Sequence, residues 1–187
     1  YTHNPIGLDV LKPRLFWQLQ AAHSGVVQSA YQIRVATSPD KLEDNQADMW
    51  DSGKVSSNAS THVQYEGKPL QSEGAYYWQV RIWDGGDERS EWSETAYWRM
   101  GILSRGDWKA KWIGRKSEEG LLMQPSPYFR KQFEVKKKVH RAIAYATALG
   151  VYDLNLNGER LGDRFAPGWT DYNVRVQVQA VDLTDQI

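Results

Sequence analysis

The 187-residue sequence contains no cysteine, which excludes a disulfide framework and a thiolate metal site. Its absence fits cytoplasm, periplasm or exterior alike. Net charge is absent too: 23 Lys and Arg face 23 Asp and Glu, so nothing here is basic enough to track a phosphate backbone. Nucleic acid is therefore not expected as a partner. No apolar run approaches bilayer-spanning length, so no membrane span is expected. The opening Tyr1-Thr-His-Asn-Pro carries neither the charged nor the apolar region of a secretory signal. His3, His23, His62 and His140 are scattered and follow no metal-ligand spacing. Ser24, Ser52 and Ser60 sit in loops without a nucleophile-elbow context, so no catalytic triad is expected. Long apolar patterns of helical period are missing as well.

Aromatic residues are abundant: nine Trp and ten Tyr. Aromatic and β-branched side chains suit pleated, half-buried surfaces. With the many Gly, Asn, Ser and Pro clusters, they predict an all-β protein.

The first hundred residues hold short alternating segments separated by turn signals. Strands are predicted in Arg14–Leu19, Ala30–Ala36, Met49–Gly53, His62–Tyr65, Tyr76–Trp83 and Thr95–Ile102, with a helical turn at Leu42. Tyr76–Trp83 is the strongest of these, with Tyr76, Trp78, Val80 and Ile82 on one face and Tyr77, Gln79, Arg81 and Trp83 on the other. Asp84-Gly85-Gly86 then marks a turn. This density of short strands predicts an immunoglobulin-like sandwich, and the lack of a Cys–Trp–Cys arrangement points to its fibronectin type III branch. Leu70 with Tyr76-Tyr-Trp-Gln-Val-Arg81 resembles that branch's sixth strand and tyrosine corner, and Ser90-Glu-Trp-Ser-Glu94 resembles its Ser-Xaa-Trp-Ser element. Trp92 has two readings: a partner-binding aromatic, or a ring stacked on neighbouring Arg side chains of the sandwich surface. The second is the expectation.

A boundary is predicted after residue 103, with a second domain over 104–187. Arg115–Pro127 is polar apart from Leu121-Leu-Met123. Strands are predicted in Tyr128–Val135, Arg141–Leu149 and Val174–Val181, and Lys136-Lys-Lys138 reads as a solvated turn. Val151–Leu156 and Glu159–Leu161 flank Asn157-Gly158, the pair that predicts a two-residue hairpin because both central residues need positive φ. A loop dense in Pro, Gly, Trp, Tyr and Asp follows to Tyr172. Asp153, Asn155, Asp163, Trp169, Asp171 and Tyr172 suit sugar recognition, since an aromatic face packs on a pyranose and carboxylates accept hydroxyl protons. They equally suit a structural loop with Trp169 buried and Asp163 or Asp171 capping turns. Four or five strands are too few for a jelly roll of about eight. The chain is therefore expected to be part of a longer protein, or to have its second domain completed by another chain. Open edges would then favour strand pairing or dimerisation.

Several motifs occur together in one order. Asn4-Pro-Ile-Gly-Leu-Asp9, Pro13-Arg-Leu-Phe-Trp17, Ala30-Tyr-Gln-Ile-Arg-Val-Ala36, Trp50-Asp-Ser-Gly-Lys-Val55 and Tyr76-Tyr-Trp-Gln-Val-Arg-Ile-Trp-Asp84 are followed by Asp107-Trp-Lys-Ala-Lys-Trp-Ile-Gly114, Leu149–Gly158 and Pro167-Gly-Trp-Thr-Asp-Tyr172. This series resembles the amino-terminal region of bacterial α-L-rhamnosidases of glycoside hydrolase family 78. The resemblance implies a fibronectin type III-like domain followed by an incomplete jelly-roll-type β-sandwich. It implies a parent enzyme that releases terminal α-linked L-rhamnose from plant glycosides or polysaccharides with inversion, using two carboxyl groups across a cleft. In that family those groups belong to a later (α/α)-barrel, a catalytic partner in cis, so no catalytic residue and no metal ligand is assigned here. No cofactor is expected in this stretch; calcium belongs, if anywhere, to the complete jelly-roll domain. The resemblance leans toward a periplasmic or extracellular setting. Two further readings stand beside it: a carbohydrate-binding module, and a surface protein of tandem β-sandwiches.

Overall fold

The structure is a computed structural model that describes residues 3–116 and 125–187. The Leu121-Leu-Met123 triplet lies outside the described residues. The chain forms two compact units, residues 1–107 and 108–187.

In the first unit the central strand is β2 (Gln28–Ala36), paired antiparallel along its length with β6 (Ala75–Asp84). β1 (Arg14–Leu15) precedes them; helix α1 (Pro39–Glu43), β3 (Trp50–Asp51), β4 (Val55–Ser56) and β5 (Val63–Gln64) lie between them in sequence, and β7 (Ala96–Arg99) follows. β3 and β4 share the outer edge of β2, and β7 pairs with β6, giving a five-stranded sheet. β1 and β5 form a second, two-stranded sheet. Side chains from both meet in one core: Leu15 and Val63 from the small sheet, and Ile33, Val35, Tyr76, Val80 and Trp98 from the large one. Each such side chain contributes roughly 1.5–3 kcal/mol when fully buried. The alternation expected in Tyr76–Trp83 is present, with Tyr76 and Val80 in the core and Trp78 and Ile82 packed against it.

Three local devices close this sandwich. The Tyr76 hydroxyl accepts the Gln71 N–H at 2.8 Å, a tyrosine corner, with Leu70 buried beside it. The Tyr65 hydroxyl donates to the Lys68 carbonyl at 2.8 Å, and burial, followed by the charges of Tyr76 and Asp48, pushes its pKa up to about 12. The third device continues the edge of β6 beyond β7. Ser93 donates its N–H to the Val80 carbonyl at 2.8 Å and accepts the Val80 N–H on Oγ at 3.1 Å. Ser90 does the same with Ile82, at 2.9 and 3.0 Å. Two serines thus pair the backbone groups of β6 where no regular strand does.

Trp92, held between these serines, stacks with two cations. Arg34 Cζ lies 4.7 Å and Arg81 Cζ 4.4 Å from its ring centroid. Arg81 also lies 5.3 Å from the Trp83 ring, and Lys54 Nζ 4.9 Å from the same ring. Gln32 fixes Arg81 by accepting from its Nε and Nη2 at 2.9 and 2.7 Å, and passes a hydrogen bond to Asp51 at 2.6 Å. The stacked reading of Trp92 is the one the structure realises.

The second unit has two ladders. β8 (Ile143–Ala146) pairs antiparallel with β11 (Gln179–Asp182), and β9 (Tyr152–Leu156) with β10 (Glu159–Ala166). A short 3-10 turn over Thr184–Gln186 follows β11. The Ala-rich segment is a strand, as its alternation predicts, although shorter than Arg141–Leu149. Two other expectations are corrected. Tyr128–Val135 forms no strand, with Tyr128 97% and Phe133 61% exposed. Val174–Val178 likewise lies outside a ladder, and pairing begins only at Gln179. Alternation makes a segment able to be a strand, but the ladder also needs a partner's N–H and C=O groups. Among the described residues neither segment has one.

The all-β architecture expected from composition holds: an immunoglobulin-like sandwich, then a set of open two-stranded ladders that, among the described residues, does not close into a complete second sandwich.

Candidate functional site

The Asn157-Gly158 pair folds as the sequence requires. Both residues have positive φ, 53° and 93°, and Leu156 pairs with Glu159 across them. The hairpin sets the faces of β9: Tyr152, Leu154 and Leu156 are half-buried, while Asp153 and Asn155 point to solvent. Asn155 stands opposite Arg160 in the ladder.

Past Leu161 the register breaks. Leu161 pairs with Leu154, but the next pair is Ala166 with Tyr152. The residues between form a wide bulge, which uses positive φ at Gly162, 64°, and at Phe165, 57°. A left-handed Phe is unfavourable by itself. Asp153 stabilises it: one carboxylate oxygen accepts the Phe165 N–H at 3.0 Å. Asp153 is therefore a brace of the bulge that carries Asp163, and one of its oxygens is committed.

After the bulge the Ala166–Pro167 peptide is cis and Gly168 has φ 88°. Trp169 follows in solvent, 76% exposed, which removes the expectation of a buried ring. Asp171 does cap a turn: its carboxylate accepts the Asn173 N–H at 3.0 Å and the Asn173 side-chain amide at 3.1 Å. The Asp171 carbonyl accepts from Val174 and Arg175, both at 2.9 Å, and Thr170 Oγ1 donates to the Arg175 carbonyl at 2.8 Å. Tyr172 is half-buried, with a hydroxyl that is covered yet has no hydrogen-bond partner among the described residues. Under the sheet Tyr152 donates its hydroxyl to Gln179 Oε1 at 3.3 Å, linking the two ladders, and burial raises its pKa.

The structure thus joins Asp153 to the bulge of Asp163, and confines Asp171 to its own turn. Chemically this offers an exposed indole face, two carboxylates half-occupied by backbone, and the free side of Asn155. Phe165, 62% exposed, stands beside these groups without a motif in the sequence that marks it. No sequence rule anticipates a left-handed phenylalanine, so nothing pointed to it. Among the described residues no group of three or more His, Cys, Asp or Glu stands together to hold a metal ion.

A family model described as the Rha78A-like, N-terminal immunoglobulin domain matches residues 1–104, more than half of the chain. The chain belongs to that family. A second model, the alpha-L-rhamnosidase N-terminal domain, matches residues 137–187, which include the hairpin and its loop. Beyond the Rha78A-like domain the similarity continues: an alpha-L-rhamnosidase of Formosa agariphila is 43% identical over 98% of this chain, and one of Alteromonas sp. (strain LOR) 40% identical over 98%. The chain spans 21% of the length of each. Its fold superposes on the structure of an alpha-L-rhamnosidase from Dictyoglumus thermophilum with a TM-score of 0.89 and 37% identity, covering 100% of this chain and 23% of that one. A Streptomyces avermitilis alpha-L-rhamnosidase crystallised with L-rhamnose is matched at 0.60 and 30% identity, over 100% of this chain and 20% of that one. The resemblance read from the sequence motifs is thereby upheld.

Proposed function

We propose that this chain is the non-catalytic, all-β amino-terminal portion of an enzyme that releases terminal α-linked L-rhamnose from glycosides or plant polysaccharides with inversion. The observation that carries this is continuity: both curated relatives align along 98% of the chain, while it accounts for 21% of their length. In this reading residues 1–103 are the fibronectin type III-like domain, and 104–187 are the amino-terminal part of a jelly-roll domain. The bond-breaking acid and base belong to a catalytic domain in cis. Asp153 and Asp171 support that division, since each uses carboxylate oxygen to hold backbone N–H groups. The test compares this chain with the longer protein on an aryl α-L-rhamnoside. The longer protein is expected to turn it over and this chain to be inactive; turnover by this chain alone would overturn the assignment.

Trp169 favours a second role alongside the first. A ring 76% exposed on a short, turn-fixed loop is a stacking surface for a sugar. In that role Trp169 packs on the pyranose, the free oxygens of Asp153, Asp163 and Asp171 and the Asn155 amide take hydroxyls, and Tyr172 borders the site. Titration with L-rhamnose, with and without calcium, checks it: no binding at tens of millimolar rejects the carbohydrate-binding role. The open ladders of the second unit further support strand pairing with another copy of the chain. Sedimentation of the isolated chain at rising concentration reads that directly, with a strictly monomeric profile as the contrary result.

A further inference from the structure

We infer that Asn157 is a site of spontaneous deamidation, a slow covalent modification of the hairpin that registers the candidate loop. The reaction needs an asparagine followed by a residue whose backbone nitrogen can reach the side-chain amide carbon without obstruction. The chain has six asparagines, and only Asn157 precedes a glycine. The structure leaves this pair accessible. Asn157 and Gly158 are both exposed, and a Cβ built on Gly158 meets nothing within 4 Å. By contrast the Asp84 carboxylate, also followed by glycine, is held by the Gly86 and Glu88 N–H groups at 2.9 Å each. That leaves the analogous isomerisation at Asp84 restrained.

The step balances without a co-reactant other than water. The Gly158 nitrogen attacks the Asn157 Cγ, the new N–C bond closes a succinimide, and the Cγ–Nδ2 bond breaks. Ammonia departs with the proton of the former peptide N–H. Water then opens the ring at either carbonyl, giving aspartate or isoaspartate. Aspartate tolerates the left-handed conformation that Asn157 adopts. Isoaspartate routes the main chain through the former side-chain methylene, so a two-residue turn becomes longer and the Leu156–Glu159 pairing loses its register. The bulge that Asp153 braces depends on that register. Modification therefore acts on the second unit and spares the sandwich.

The test holds the purified native chain at mildly alkaline pH and follows the tryptic peptide spanning 142–160 by mass spectrometry. The expected result is the mass gain of an amide converted to a carboxyl, at Asn157 ahead of every other asparagine, with isoaspartate the separable product. Gly158→Ala is expected to slow the conversion about tenfold, since a Cβ removes the backbone freedom that glycine has. Asn157→Asp is the folding control, because it creates the aspartate product without the lesion in the main chain. The inference is overturned if native Asn157 stays intact over a period in which the urea-unfolded chain converts, or if another asparagine reacts first.

Discussion

Residues 1–107 and 108–187 draw on the same vocabulary, short alternating segments broken by Gly, Asn and Pro turns, and arrive at different degrees of closure. In the first unit a continuous buried cluster runs from Leu8 to Met100, and the outer edge of β6 is finished by Ser90 and Ser93. In the second, Leu161, Ala166 and Leu183 are the buried apolar side chains among the described residues. Trp112, Tyr128, Phe133 and Val174 are each more than 60% exposed there. The same pattern of residues therefore stabilises a unit only when partner strands are present to receive it. The first unit supplies its own; the second presents ladders, a braced bulge and an aromatic loop.

The comparison breaks most sharply at tryptophan. Trp98→Ala is expected to destabilise the first unit by about 3–5 kcal/mol, the usual loss for a large aromatic removed from a core. Trp169→Ala should change stability by under about 0.5 kcal/mol, as for surface substitutions. Urea unfolding followed by circular dichroism measures both, and equal losses would erase the distinction. Next in size is Tyr76→Phe, which strands the Gln71 N–H without its acceptor. A cost of about 1–3 kcal/mol is expected from an unsatisfied, partly buried donor. A neutral result would mean that the tyrosine corner does not hold the sandwich closed.

A smaller effect sharpens the second unit. Asp153→Ala releases the Phe165 N–H, and about 1 kcal/mol of local stability should go with it. The Phe165 amide should then exchange faster while amides of β2 and β6 keep their rates. If the mutation instead abolishes rhamnose binding without altering that exchange, Asp153 is a ligand group and not a brace.

The smallest effect is a dependence on pH in the first unit. Burial pushes the Asp48 pKa up, but hydrogen bonds from Lys41 and Thr37 outweigh it, so the net shift is down from 3.8 to about 2. A carboxyl that titrates lower when folded binds fewer protons in the native state. Its contribution is complete above pH 3.8 and is lost as pH falls toward 2. Asp48→Asn should flatten the stability profile in that window; an unchanged slope would assign the acid sensitivity to other carboxylates.

What could be read from the sequence was chemistry local to a few residues. The Asn157-Gly158 turn, the Leu70–Tyr76 corner and the Ser90–Ser93 edge each depend on side chains near in sequence, or on a backbone angle only certain residues adopt. The Trp92 stack was legible because Arg34 and Arg81 lie on strands whose alternation fixes their face. β4 escaped notice because Val55–Ser56 is too short to show a period. The alternation of Tyr128–Val135 and Val174–Val181 predicts strands, but Tyr128–Val135 and the first part of the second segment stay unpaired among the described residues, because alternation reports capacity and says nothing of whether a partner exists. In the candidate site, Asp153 and Trp169 were picked for their chemistry, but their roles rest on the bulge. The extra residues between Leu161 and Ala166 bring Phe165 onto Asp153, and no spacing rule contains that contact.

Hydrogen exchange on the intact chain tests the contrast between the units most directly. Amides of β2, β6 and β7 are expected to exchange only through global unfolding of the first unit, and those of β8 through β11 by local opening, orders of magnitude sooner. Equal protection in both sets would contradict the account, because it would mean that the second unit is closed as completely as the first.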